Sequence, residues 1–146
     1  MATGKTNRKH IIISVDDNNP TVRIVEASVA DVSGVGLTYD TQDVTAYSDG
    51  WHNFTLGHPG SDLTFTGPID NTANIGSHIV FSAIAGDMTT THTVTIAYGI
   101  RATATTGDPE WEGEYYCNSY LVDGDANYTA TMVAAGATAA TWGTKA

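Results

Sequence analysis

The sequence predicts a mainly β chain with one flanking helix, on three observations. Apolar and polar residues alternate with period two over most of its length, the mark of strands with one wet face. Clusters of Asp, Asn, Gly and Pro separate these runs, and such residues fix turns through their own side chains or permissive backbones. Only one stretch, Asp70 to Ala85, carries the helical period instead: Ile75, Ile79 and Ala83 fall at i, i+4 and i+8, with Val80 and Ile84 beside them.

Taken in order, His10 to Val15 is an apolar run that reads as the first strand, and Asp16-Asp17-Asn18-Asn19-Pro20 as the turn to a returning strand over Thr21 to Val25. Glu26 to Gly34 has no clean period and fits a helical turn or a loop. Gln42 to Tyr47 alternates Val44 and Ala46 against polar neighbours; Asp62 to Gly67 does the same with Leu63 and Phe65. Between these two predicted strands, Ser48 to Gly60 is rich in turn residues yet carries Trp51, Phe54 and Leu56. A loop with such side chains needs its own sheet or a neighbour to pack on. The helix takes Asp70 or Asn71 as its expected N-cap. His92 to Thr105 reads as the longest strand, roughly 45 Å at about 3.3 Å per residue, so part of it is expected to project as an arm near Arg101. After a turn at Gly107 to Pro109, Glu110 to Val122 places Glu110, Glu112, Glu114, Tyr116, Asn118 and Tyr120 on one face. Trp111, Tyr115, Cys117 and Leu121 fall on the other. Asp123 to Asp125 turns the chain, and Asn127 to Ala135 closes it with Tyr128, Ala130 and Met132 inward. The expected organisation is a flexible arm over residues 1–9 and one domain over 10–146.

Charge then narrows the function. Between Ile24 and Thr144 the one Lys or Arg is Arg101, against fourteen Asp and Glu, and the whole chain carries a net charge of −10. Such a surface repels polyanions, which excludes a nucleic-acid grip and leaves passage or repulsion. Lys5, Arg8 and Lys9 form a short basic N-terminal segment. That segment has no apolar core of the kind a secretion signal needs, and no apolar run approaches the roughly 20 residues of a membrane helix, so a soluble chain is expected. The single cysteine, Cys117, rules out an internal disulfide.

The chemistry-bearing residues make no case for an enzyme. Glu110, Glu112 and Glu114 stand about 7 Å apart at strand spacing, a separation within glycosidase range. However, an acid and base pair needs one carboxyl in an apolar site, and these share one wet face. Asp123, Asp125 and Asn127 open like a calcium loop, but Tyr128 stands where that loop needs Gly and Ala134 where it needs the bidentate Glu, so the reading is a turn. His10, His52, His58, His78 and His92 lack ligand spacing, and Cys117 alternates with core positions. No phosphate-binding glycine loop, nucleophile elbow or basic-aromatic platform occurs, and no cofactor or metal is expected.

Three segments in mid-chain carry a resemblance. Asp43-Val44-Thr45-Ala46-Tyr47-Ser48-Asp49-Gly50, the loop Leu56-Gly57-His58-Pro59-Gly60, and Leu63-Thr64-Phe65-Thr66-Gly67-Pro68-Ile69-Asp70 followed by a helix resemble the tail tube proteins of long-tailed bacteriophages. The Asp16 to Val35 stretch looks like the opening hairpin of that family, and Trp111-Glu112-Gly113 with the strand before Ala135-Gly136 like its closing hairpin. His52 stands where the family often has Arg or Lys. The resemblance implies an antiparallel β-sandwich with extended loop or hairpin arms, assembling as hexameric rings that stack into a tube for the phage genome. It implies a virion protein made in the host cytoplasm, with a tail terminator, tape measure and baseplate or tip proteins as partners. A ring of six would carry a charge of about −60, repelling DNA phosphates along the lumen.

On this reading Glu110, Glu112 and Glu114, with Asp43 and Asp62, are the channel-facing candidates. Trp51, His52, Phe54, Leu56, Lys5, Arg8, Lys9 and Arg101 are the candidates for contacts between subunits. The alternative in the same structural class is a capsid decoration or head-completion protein. A binding-module alternative would make Trp51, Trp111, Tyr115 and Tyr116 a carbohydrate-stacking platform.

Overall fold

The computed structural model describes residues 4–17, 21–136 and 139–146. Its spine is one strand, β8 (Pro109–Val122), fourteen residues long. The first half of β8 pairs with β7 (His92–Tyr98) and, on the opposite edge, with β10 (Thr141–Thr144). The second half pairs with β9 (Asn127–Ala134). From β7 the sheet continues to β1 (Ile11–Asp16) and β2 (Val22–Ile24); from β9 it continues to β6 (Asp62–Pro68) and β3 (Asp31–Ser33). All these ladders are antiparallel, and one strand therefore serves both layers of a sandwich-like roll. The two ends of the path, β2 and β3, are consecutive in the chain. The segment joining them, with a 3-10 turn at Glu26–Ser28, spans the open side: Val25 N–H donates to the Ile13 carbonyl at 2.9 Å and Ala30 N–H to that of Thr66 at 2.7 Å.

Alternation fills the space between the layers. Ile13 and Val15, Leu63 and Phe65, Val94 and Ile96, Trp111, Tyr115 and Cys117, and Tyr128, Ala130 and Met132 all turn inward and are buried. A helix, α1 (Ser77–Ile84), lays Val80, Phe81 and Ile84 on this core, with the Phe81 ring 5.3 Å from Phe65 and 5.8 Å from Tyr128. A chain of hydrogen bonds satisfies the large buried polar rings: Trp111 Nε1–H donates to Tyr115 Oη at 3.0 Å, and Tyr115 Oη bonds Ser61 Oγ at 2.8 Å. Ser28 ties three elements together. Its hydroxyl accepts Ser77 N–H at 3.0 Å where α1 begins, and its carbonyl accepts the Tyr128 hydroxyl at 3.0 Å. Burial pushes the Tyr128 phenol up to about 12, so it remains a donor.

Several expectations are corrected. The helix starts at Ser77 with Gly76 at the cap, because Asp70 spends its carboxylate on Thr72 and its carbonyl on His78 N–H at 3.0 Å. Its buried stripe is Val80, Phe81 and Ile84; Ile79 is 42% exposed. β7 ends at Tyr98 rather than Thr105. A Cβ at Gly99 would lie 2.0 Å from the Ala102 carbonyl oxygen, and Arg101 sits at φ 64°, so the chain turns back tightly and no long strand projects there. A register shift between Cys117 and Ser119 moves the inward set from odd to even positions: Tyr120 packs on Tyr128, while Leu121, expected inside, is 68% exposed. The first predicted hairpin lies around Asn18, Asn19 and Pro20, which fall outside the described residues; beside them Asp17 accepts Thr21 N–H at 2.9 Å and pairs with Arg23 at 2.9 Å.

The middle strands also shift. β4 is Thr38–Asp43 rather than Gln42 to Tyr47, and the expected loop contains a strand, β5 (Phe54–Gly60), with the two forming a separate two-stranded hairpin.

Packing at Ser28 and at the Phe81 site should dominate stability. Phe81→Ala should cost about 3–5 kcal/mol in urea unfolding. Gly67→Ala, whose Cβ would lie 2.3 Å from the Ser28 carbonyl oxygen, should cost about 1–3 kcal/mol, while Gly124→Ala, with nothing within 4 Å, should meet no such overlap.

Candidate functional site

Register assembles one acidic face. Thr93 stands opposite Glu114, Thr95 opposite Glu112 and Ala97 opposite Glu110; on the other edge Thr141 faces Glu112 and Gly143 faces Glu110. Ser14 of β1 extends the central rung beyond Thr95. The three glutamates therefore share the outer face of the sheet, above a trough of about 340 Å³ walled by Glu110, Glu112, Glu114, Thr141 and Thr144. Hydroxyls hold Glu114 in place: Thr91 Oγ1–H donates to Oε2 and Thr93 Oγ1–H to Oε1, each at 2.7 Å. Burial pushes the Glu110 carboxyl above its ordinary value, Glu112 pushes the same way, and Lys145 pulls back. Asp16 on β1 is also raised, first by burial, against the Thr93 hydroxyl that lowers it, with Glu114 and Asp17 adding to the rise. The arrangement is a row of acceptors in which hydroxyls fix Glu114.

The other channel-facing candidates separate. Asp62 pairs with Val133, and Val133 with Tyr116, two positions along β8 from Glu114, so Asp62 lies on the same outer side of the rolled sheet two strands away. Asp43 ends β4 on the hairpin and has no pairing to the glutamate strand. Its carboxylate accepts the hydroxyl and backbone N–H of Thr45, which hold it below the usual carboxylate range.

The hairpin presents apolar side chains to solvent. Trp51 is 82% and Leu56 64% exposed, with Val44, Tyr47 and Phe54 exposed beside them. Of the two supports the sequence left open, its own sheet does not cover these residues. The tip is nonetheless built: Val44 N–H bonds the Asn53 carbonyl at 2.9 Å, Asn53 N–H bonds Thr45 Oγ1 at 2.8 Å, and Ala46 N–H bonds Asp49 at 2.8 Å. The His52 ring lies 6.1 Å from that of Phe54. At the N-terminal end Lys5, Arg8 and Lys9 are exposed, Arg8 and Lys9 within a 3-10 turn (Arg8–His10) whose cap Asn7 accepts Lys9 N–H at 3.2 Å. The Arg101 guanidinium lies against Gly4, where a Cβ would be 2.8 Å from its Nε, so Arg101 joins this basic end.

Other motifs are occupied by structure. Trp111 and Tyr115 are fully buried, so they cannot form a stacking platform with Trp51. Asp123 Oδ1 accepts the backbone N–H groups of Asp125 at 2.9 Å and Asn127 at 3.0 Å, a turn. His78 Nδ1 bonds the Tyr120 hydroxyl at 3.1 Å, and His92 is buried with Nε2 3.8 Å from Asp87. Burial pushes the Cys117 thiol up, away from a nucleophile.

The architecture is a rolled antiparallel sheet with one packed helix and a separate two-stranded hairpin. No protein-family model matches the chain, and neither does any curated protein. Among solved structures it is similar over 98% of its length to 99% of a chain in the sheath/tube terminator of an extracellular contractile injection system in the extended state, with a TM-score of 0.63 and 18% identity. A chain in the cap that terminates the tube of the anti-feeding prophage gives a TM-score of 0.64 at 16% identity, covering 99% of this chain and 95% of that one. A chain in the tail of an empty gene transfer agent particle, refined with C6 symmetry, gives 0.68 at 15% identity, covering 97% and 100%. The shared property at these identities is the fold, and it spans the whole of each chain.

A pH titration should report the glutamate face. With Glu110 raised in the folded state, the native protein holds more protons than the unfolded chain just above the ordinary value of 4.5, so its contribution to stability falls as pH rises through that window. Glu110→Gln should flatten the decline in unfolding free energy across that range, by about 0.5 kcal/mol or less because the group is largely solvated.

Proposed function

We propose that this chain is a structural, non-catalytic subunit that self-associates into rings and stacks into the tube of a phage-tail-like particle, with the Glu110, Glu112, Glu114 face turned to the lumen. The full-length fold likeness to chains of tube-bearing tail assemblies is the observation that carries this reading. Charge supports the orientation. A passing polyanion meets carboxylates that are flanked by threonine hydroxyls and outnumber the nearby Lys145. The hairpin supports self-association, because an ordered tip with exposed Trp, Phe and Leu is a surface awaiting a partner. Asp62 extends the lumen face in this arrangement, Asp43 lies with the arm, and the basic N-terminal end meets an acidic neighbour. Sheath, terminator, tape-measure and tip proteins would be its further partners, and DNA its passing cargo.

A second reading, a terminator or cap, has its own support in the terminator and cap structures among the likenesses. Electron microscopy of the purified chain separates them: open tubes of indefinite length support the tube subunit, while single closed rings support the cap. Replacing residues 44–53 by a two-residue Gly-Gly turn should leave the far-UV circular dichroism and thermal midpoint near those of the parent and abolish assembly; assembly by the shortened chain would sink the arm assignment. Tubes of Glu110→Lys/Glu112→Lys/Glu114→Lys protein should retain duplex DNA at low salt and release it steeply as salt rises, whereas parent tubes should bind none. Equal binding by both would contradict the lumen face.

A further inference from the structure

The self-association proposed above leaves the receiving surface undefined, and one cavity has the shape and chemistry for it. Between the Arg8–His10 turn, β1 and the β2–β3 crossover lies a cleft of about 240 Å³ walled by Ile11, Ile13, Val29, Val32 and Tyr98. A dry cavity of roughly 150 Å³ suffices for a benzene ring, so this one has room for an indole. Glu26 forms part of its wall, and the Glu26 Oε2 atom is enclosed with no hydrogen-bond partner among the described residues. A sealed acceptor of this kind costs stability until a donor reaches it. The terminal torsion of a glutamate is soft, so a small rotation turns the carboxylate to an incoming N–H. Arg8, in the segment that also carries Lys5 and Lys9, and Asp31 are also among the residues lining the cleft.

The hairpin carries the complement. Trp51 is an apolar ring of the right size with an N–H that can only donate, and it makes no ring contact among the described residues. Trp142, by contrast, already rests on Trp111 at 5.2 Å and Tyr98 at 5.8 Å. The hairpin that carries Trp51 also bears Asp40, Asp43 and Asp49, opposite in sign to the basic segment that lines the cleft.

We propose that Trp51 of one copy seats in the cleft between the N-terminal turn and the β2–β3 crossover of the next copy, its indole N–H donating to Glu26. The contact joins two different patches, so it is heterologous: each copy gives a hairpin to one neighbour and receives one from the other, the geometry that builds closed rings or open helices. This inference rests on the self-association reading and assigns its pocket.

Complementation tests it by sedimentation velocity. Trp51→Ala removes the anchor and keeps the cleft; Ala30→Trp, at an exposed position lining the cleft, fills the pocket and keeps the anchor. Each variant alone should stay monomeric at concentrations about 100-fold above the parent's assembly threshold. Mixed, they should form a one-to-one pair through the intact anchor of one and the intact cleft of the other. Trp51→Phe, which keeps the ring and loses the donor, should raise the threshold about tenfold. Independently of the Ala30 variant, the emission difference between the parent and Trp51→Phe should shift to the blue on assembly as the indole leaves water. Assembly of Trp51→Ala at the parent's threshold, a mixture that stays monomeric, or an unshifted emission overturns the pocket while the tube reading stands. A parent chain that is monomeric at every concentration overturns both.

Discussion

One strand belonging to two layers is the constraint on which the structure depends. β8 must satisfy its backbone hydrogen bonds on both edges over its first half and again along β9 over its second, while keeping large side chains on the core side throughout. The register shift between Cys117 and Ser119 reconciles these demands. It lets Trp111, Tyr115 and Cys117 face inward before it and Tyr120 after it, and it turns the strand from one layer into the other. The Trp111–Tyr115–Ser61 hydrogen bonds and the Ser28 node then lock layers, helix and crossover at fixed distances.

The same constraint sets the outer surface. Because Trp111 and Tyr115 are fixed inside, Glu110, Glu112 and Glu114 have no alternative but the outer face, where threonines from β7 and β10 stand opposite Glu112 and Glu114, and Ala97 and Gly143 opposite Glu110. The acidic array inherits the rigidity of the core behind it. The β4–β5 hairpin is the opposite case: among the described residues it pairs only with itself, and it carries its apolar side chains outward. In the proposed tube these features divide the work between a fixed wall and a reaching arm, with the cleft beside Glu26 as the arm's seat.

Much of the fold was legible because half-buried strands write their burial into the sequence. Leu63 and Phe65, Trp111 and Tyr115, and Tyr128, Ala130 and Met132 were readable from alternation alone, and the shared face of the three glutamates followed. What was not legible has identifiable causes. The hairpin has no buried face, so β5 carried no alternation, and Val44 and Ala46 suggested a strand where the chain is a solvent-exposed tip. The shift after Cys117 leaves no local mark, which misassigned Tyr120 and Leu121. β7 appeared too long because the Thr and Ala residues after Gly99 keep the alternation going while the backbone turns away. The helix stripe slipped by one residue since Ile75 and Ile79 are apolar yet face solvent or precede the helix. The cleft beside Glu26 was beyond reach of sequence, because its walls come from β1, the crossover, β3 and Tyr98.

In the proposed tube, copies of this chain enclose a channel with the acidic sheet face inward. A three-dimensional electron microscopy reconstruction of the assembled protein, at a resolution that places β8, tests it directly. The expected result is a hollow ring or tube whose inner wall carries Glu110, Glu112 and Glu114. An assembly with these three carboxylates on its outer wall, or packed as a solid trimeric cap without a channel, would contradict it.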